Sequence, residues 1–201
     1  MSETAANAEK ELQREKKALD PRIAFALMII MIICALCIGA NKAWKKNRVS
    51  VDAALAAYQE NIEQRVETAY NVLTVAGRYL PEDDLLVQAV RSDLHGMESA
   101  STSTGLKEQT AAASVFSADA TALLAALAQN GTVSTDARDS MYVTSMLPQA
   151  VEQCCASTAA DAYNKAAQSY NEGMHSFSGL LARLTGVNYA TVIDATTPAS
   201  E

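Results

Sequence analysis

From Ile23 to Ala40 the chain reads IAFALMIIMIICALCIGA, eighteen residues without a charge, bounded by Arg22 and Lys42. As a helix this run is about 27 Å long, close to the ~30 Å hydrocarbon core of a bilayer. It predicts a transmembrane helix over residues 23–40 rather than a buried core helix, whose apolar runs are shorter. Arg22, Lys42, Trp44 and Lys45 flank it and are the expected membrane-interface residues, because long cations can snorkel and indole rings favour the headgroup level. No small-x-small cleavage site follows the run, and Ile33 and Leu36 precede Cys34 and Cys37 where a lipoprotein signal would place a small residue. The span therefore reads as an uncleaved anchor.

Beyond the span the apolar positions change to helical spacing. Val51, Leu55, Tyr58, Ile62, Val66, Ala69, Leu73, Ala76 and Leu80 follow one another by three or four residues, with Glu60, Glu63 and Glu67 on the polar side. This pattern predicts that the membrane helix continues, unbroken or nearly so, into an amphipathic one. Pro81-Glu82-Asp83-Asp84 reads as a stop and a restart, and Leu86, Val90, Leu94 and Met97 give the next stripe. After a break over Ser99–Gly105, a third helix carries Leu106, Ala113, Phe116, Ala120, Leu123 and Leu127 and ends at Asn130-Gly131. A last long helix is expected from Thr135 or Asp136 to about His175, kinked or restarted at Pro148. Ser176–Gly179 interrupts it, and Leu180, Leu181 and Leu184 form a short apolar segment. The predicted fold is all-α: an N-terminal transmembrane helix continuing into an antiparallel bundle of about four helices. Its parts are a polar tail (1–22), the span (23–40), the bundle (41–187) and a flexible C-terminal tail (188–201).

Composition supports that class. Half of the 201 residues are apolar, whereas Gly (8) and Pro (4) are rare. An all-β chain needs more turn punctuation. The net charge of −7 is uneven: from Val51 onward 7 Lys/Arg face 18 Asp/Glu. So acidic a domain repels nucleic acid, and no nucleic-acid partner is expected. The expected partners are the bilayer, through residues 23–40, and a protein of unknown identity. Five bases precede the span and four follow it, too even a split to set orientation. Adjacent Cys154 and Cys155 make a poor structural disulfide, and no framework of staples is visible, which favours a cytoplasmic bundle.

One interval recurs near the C-terminus. Tyr163-Asn164 and Tyr170-Asn171 lie seven residues apart, and Phe177 follows after seven more. Seven residues are nearly two turns, so the aromatics are expected on one stripe and the two Asn about 100° around from it. The stripe would fill a helix seam, with the amides satisfying polar groups at its rim or fixing register.

These residues carry a resemblance. The stretch AYNKAAQSYN from Ala162, then Ser176-Phe177, then LLARLTGV from Leu180, resembles the C-terminal signature of LemA-family proteins, and Arg65-Val66-Glu67-Thr68-Ala69-Tyr70 is similar to that family's motif in the first helix. Ser178 stands where the family usually has Pro, and Tyr70 where it has Trp. The resemblance implies a bacterial, single-pass, membrane-anchored helical bundle without established enzymatic activity, acting in scaffolding or protein interaction. The family motif residues, expected to pack helices, are then Arg65, Val66, Tyr163, Asn164, Tyr170, Asn171 and Phe177.

No catalytic pattern competes with that reading. Glu172-Gly173-Met174-His175 matches one E-x-x-H element of di-iron bundles, but such sites need a second, and His95 has Ser92 three residues before it. No zinc cluster, phosphate loop or nucleophile triad is visible. The sequence near Cys154-Cys155 supplies Glu152 rather than a base, which argues against a reactive thiol. No cofactor, metal or catalytic residue is expected. The alternative function is a ligand-sensing bundle that relies on a partner for output.

Overall fold

The computed structural model describes residues 20–99 and 103–193. Every regular element among them is helical, and the fold is all-α. Helix α1 runs Pro21–Ala76, 56 residues. Asp20 caps its start by accepting from the Arg22 amide at 3.0 Å, with Pro21 at the first helical position, where a missing N–H costs nothing. The described residues form two compact units: 20–46 group with Met174–Asn188, and those of Asn47–Gly173 group with 189–193.

In the first unit, α1 has a mean hydropathy of 2.9 over its most apolar stretch and is long and apolar enough to cross a membrane. Phe25, Met31 and Ile38 are among many large side chains exposed there, Ile38 by 69%. A helix apolar on all sides has no face that prefers water. The short helix α7, Phe177–Leu184, begins at Ser176, whose Oγ accepts from the Gly179 amide at 3.2 Å. It ends in a paired closure, Gly186 N–H to Arg183 O and Val187 N–H to Ala182 O, both 3.1 Å. That closure needs the left-handed backbone that Gly186 adopts at φ 88°.

In the second unit, residues from Asn47 along α1 bury Val51, Tyr58, Ile62, Ala69, Val72 and Ala76, close to the expected stripe. Asp84 caps α2, Leu85–Glu98, by accepting from the Leu86 amide at 2.9 Å, which realises the restart after Pro81. Helix α3, Ser103–Gln129, buries each of its expected apolar positions, and Phe116, Ala120, Leu123 and Leu127 are fully enclosed. It too is apolar enough by length and composition to cross a membrane; these enclosed residues show it instead as a core helix of the bundle. It starts before Gly105, so the expected break narrows to Ser99 and three residues outside the described ones. Gly96 brings α2 and α3 together: a Cβ there would sit 2.7 Å from the Ala112 Cβ.

The expected single helix from 135 to 175 is divided. Asp136 caps α4, Ala137–Met141. A π-turn, Tyr142–Met146, follows. Then come α5, Leu147–Cys155, and α6, Ala159–Gly173. Pro148 has no N–H and its ring crowds the carbonyl four residues back, so the backbone widens by one residue just before it. The second break, at Ala156–Thr158, is a correction to the sequence reading. Ser157 Oγ accepts from the Ala159 amide at 3.2 Å, so a hydroxyl starts a new helix inside an alanine-rich stretch whose composition hides the boundary.

Candidate functional site

The two Tyr-Asn pairs stand on α6 and act on the chain beyond α7. Asn171 Nδ2 donates to Ala190 O and Asn171 Oδ1 accepts from Ala190 N–H, both at 2.8 Å. Two turns earlier, Asn164 Oδ1 accepts from Ile193 N–H at 2.9 Å. Between them Tyr163 donates its hydroxyl to Thr191 O at 2.6 Å. Seven helical residues rise about 10.5 Å, and the three extended residues from 190 to 193 advance about 10 Å. The interval of seven is therefore the pitch at which one helix face grips every third residue of an extended segment running antiparallel to it. The groups these amides satisfy are backbone of the extended segment rather than of a neighbouring helix.

The sequence reads the tail from 188 onward as flexible; over Tyr189–Ile193 this is corrected. Ala190 and Ile193 are buried, and four side-chain bonds hold the backbone. Residues 194–201 lie outside the described residues, as does most of the expected polar tail at 1–22.

Tyr163 and Tyr170 are buried, as the stripe requires. Tyr163 stacks on Tyr58 of α1 with ring centres 6.4 Å apart. Thr110 donates to Leu106 O at 2.8 Å, which leaves Tyr58 as the donor to Thr110 Oγ1 at 2.6 Å. Burial raises both phenols above the ordinary tyrosine range. Phe177 departs from the stripe. Helix α6 ends at Gly173, and Phe177 opens α7 with its ring 73% exposed.

Arg65 joins three helices. Its Nη1 donates to Ala113 O of α3 at 2.5 Å and its Nε to Cys154 O of α5 at 3.3 Å. Asn61, one turn earlier, donates to the same Cys154 carbonyl at 2.8 Å. Carbonyls in a helix's last turn lack intrahelical donors and carry the negative end of its dipole, so a cation and an amide are the groups that suit them. Asn61 gave no sequence signal beyond its one-turn spacing from Arg65.

The same arginine revises the reading of the thiols. Cys154 and Cys155 are free, with sulfurs 3.8 Å apart. The Cys154 thiol donates to Val151 O at 3.3 Å while both cysteines are neutral; when Cys155 ionises that thiol can turn to its sulfur, and this bond, with Arg65 and Ser117, favours the Cys155 thiolate against burial. Cys155 is thus the first of the pair to ionise, while Cys154 is held up by the same bond. The base that the local sequence lacks arrives from α1.

Val66 is half-buried and lines an open groove of about 740 Å³ with Ile62, Met97, Glu63, Glu67 and Glu98. Tyr70 closes one side by donating to Glu98 Oε1 at 2.6 Å. Elsewhere Asp93 of α2 is buried, and its Oδ2 lacks a hydrogen-bond partner. Burial first, then the Asp119 carboxylate of α3, pushes it up to about 7. At the end of α1, Arg78 reaches both oxygens of Asp139 at 2.9 and 3.0 Å, and Tyr79 donates to one of them at 2.8 Å. Tyr79 and then Arg78 hold the Asp139 carboxyl below the usual carboxylate range.

Of the expected membrane-interface residues, Arg22, Lys42 and Lys45 are exposed. Trp44 is not: its ring is 8% exposed and its Nε1–H donates to Ser178 Oγ at 3.4 Å. A headgroup-facing role for Trp44 is corrected to a packing one, because an indole that meets α7 is covered by protein. Glu172 lies in the last residues of α6. Among the described residues no group of three or more His, Cys, Asp and Glu could hold a metal ion. No known family, curated protein or solved structure matches the chain.

Proposed function

We propose that the chain is a single-pass bacterial membrane protein of the LemA type, a non-enzymatic scaffold whose acidic bundle is held at the cytoplasmic face of the cell membrane. The observation that carries this reading is the stretch 23–40 of α1, charge-free and with large apolar side chains exposed on every side. Such a surface is incompatible with water over that length. The family resemblance is supported by what its motif residues do: Arg65, Tyr163, Asn164, Tyr170 and Asn171 hold helices and backbone together, as a structural motif would.

The groove along α1 is the face proposed for the protein partner. Half-buried Val66 offers apolar contact above the buried Ile62 and Met97, and Glu63, Glu67 and Glu98 select a basic segment. Alkaline carbonate washing tests the anchor: the intact chain stays with the membrane pellet, and its release would end the reading. A photo-crosslinking residue at Val66 tests the scaffold. Capture of one partner, abolished by Glu63→Lys with Glu67→Lys, supports it; yield no higher than at exposed Ser114 counts against it.

A further inference from the structure

Helix α7 has an outer face that nothing in the first unit covers. Gly179 and Ala182 are buried, and a Cβ on Gly179 would run into the Met174 backbone, so this side is pressed inward. On the opposite side Phe177, Leu180, Leu181 and Leu184 fall within about 100° of arc. Phe177 is 73% exposed and Leu184 80%, and Leu180 is exposed as well. Leu181, at the edge of that arc, is half-buried, and eight residues that spend three large apolar side chains on an outward face do not gain stability from it in water.

The position of α7 along α1 says what covers that face. Asn41 Nδ2 donates to Thr185 Oγ1 at 2.7 Å and to Thr185 O at 3.2 Å, fixing the C-terminal end of α7. Trp44 reaches Ser178 near the other end. Asn41 is the first polar residue beyond the apolar run that ends at Ala40. The helix is thereby fastened at the level where the span leaves hydrocarbon. Charge agrees: on this side of the span residues 41–46 and 174–188 contain Lys42, Lys45, Lys46 and Arg183 and not one Asp or Glu, in a chain of net charge −7.

We propose that α7 is a second membrane element, an interfacial helix that lies at the bilayer surface beside the span and buries Phe177, Leu180 and Leu184 at the boundary of headgroups and acyl chains. The inference rests on the membrane reading above. It adds that the anchor is a helix plus a foot: Asn41 and Trp44 hold the foot, and the surrounding cations favour anionic lipid. An amphipathic helix of this kind inserts its apolar face about 5–10 Å into the interface.

The test uses the full chain in vesicles of phosphatidylglycerol and phosphatidylcholine, with a benzophenone amino acid placed singly at Ile30, Phe177, Leu184 or Thr121. Irradiation and mass spectrometry then read protein–lipid adducts. Adducts at Ile30, Phe177 and Leu184, lost at Thr121, support the proposal. Adducts at Ile30 with none at Phe177 and Leu184, or crosslinks from those two to a second copy of the chain, overturn the foot and leave the anchor standing. No adduct at Ile30 overturns both.

Discussion

Asn171 and Ala190 share two hydrogen bonds of 2.8 Å, one in each direction, between a side-chain amide and a single residue's backbone. The carboxamide reproduces the donor and acceptor of a peptide group, so α6 offers the extended segment a substitute for a neighbouring strand. Asn171→Ala leaves both Ala190 groups without partners, a loss of about 1–3 kcal/mol. Deuterium exchange in the peptide covering residues 189–193 should rise. Adding Asn164→Ala, which frees the Ile193 amide, should release the segment. Unchanged exchange in the double variant would mean that burial of Ala190 and Ile193 alone holds it.

Much of this bundle is legible from the spacing of apolar residues, because Val51, Tyr58, Ile62 and Ala69 obey a period that only a helix produces. Pro81, Asp84 and Asn130 mark boundaries through backbone chemistry local to each of them. The grip on residues 190–193 was not legible, although its interval was. Period alone shows that Asn164 and Asn171 share a face and does not reveal that their partner is extended chain 19 and 29 residues on. The break at Ser157 was hidden by its alanine neighbours. The cation beside Cys155 comes from residue 65, and no local reading of the thiols could supply it.

Asp93 makes stability fall as pH rises. Its carboxyl is raised to about 7 in the folded chain by burial and by Asp119, against roughly 3.9 unfolded. The folded state therefore binds the proton more tightly, and that contribution is fully present below about pH 4 and lost as pH climbs through about 7. Asp93→Asn should raise Tm relative to the parent at about pH 8, with the difference shrinking or reversing near about pH 4. A constant difference across that range would show that Asp93 does not titrate in the window.

Asp139 works in the opposite direction. Its carboxyl is lowered by Tyr79 and Arg78, so its contribution is present above the unfolded value near 3.9 and disappears as pH falls through the lower folded value. The parent chain should lose Tm steeply below about pH 4, while Asp139→Asn, less stable at neutral pH, should lose less over the same interval. Parallel acid limbs for the two proteins would remove the ion pair from the account.

Gly96 permits the contact of α2 with α3. A methyl group there would meet the Ala112 Cβ at 2.7 Å, closer than two carbons can approach. Gly96→Ala improves helix propensity by about 1 kcal/mol, yet overpacking of a tight helix contact costs typically about 1–3 kcal/mol. The clash should win, and Tm should fall. Ala112→Gly in the same chain makes room for the methyl group and should recover part of the loss; no recovery would place the damage elsewhere than at this pair.

Arg65 is predicted to govern both the packing of three helices and the chemistry of one thiol, and the two effects can be separated. Arg65→Met leaves Ala113 O without its charged donor and Cys154 O with Asn61 alone, a loss of about 1–3 kcal/mol. It also removes a cation that favours the Cys155 thiolate. Arg65→Lys keeps the charge but cannot present two donors in fixed geometry. Timed alkylation with iodoacetamide, located by mass spectrometry, should modify Cys155 before Cys154 in the parent chain. In Arg65→Met the pH profile of Cys155 should move upward and Tm should fall. Arg65→Lys should lower Tm comparably while moving the profile less, because the thiolate responds to charge and the carbonyls to geometry. Equal alkylation rates for the two cysteines, or a profile indifferent to Arg65→Met, would leave Arg65 as a helix fastener with no hold on the thiol.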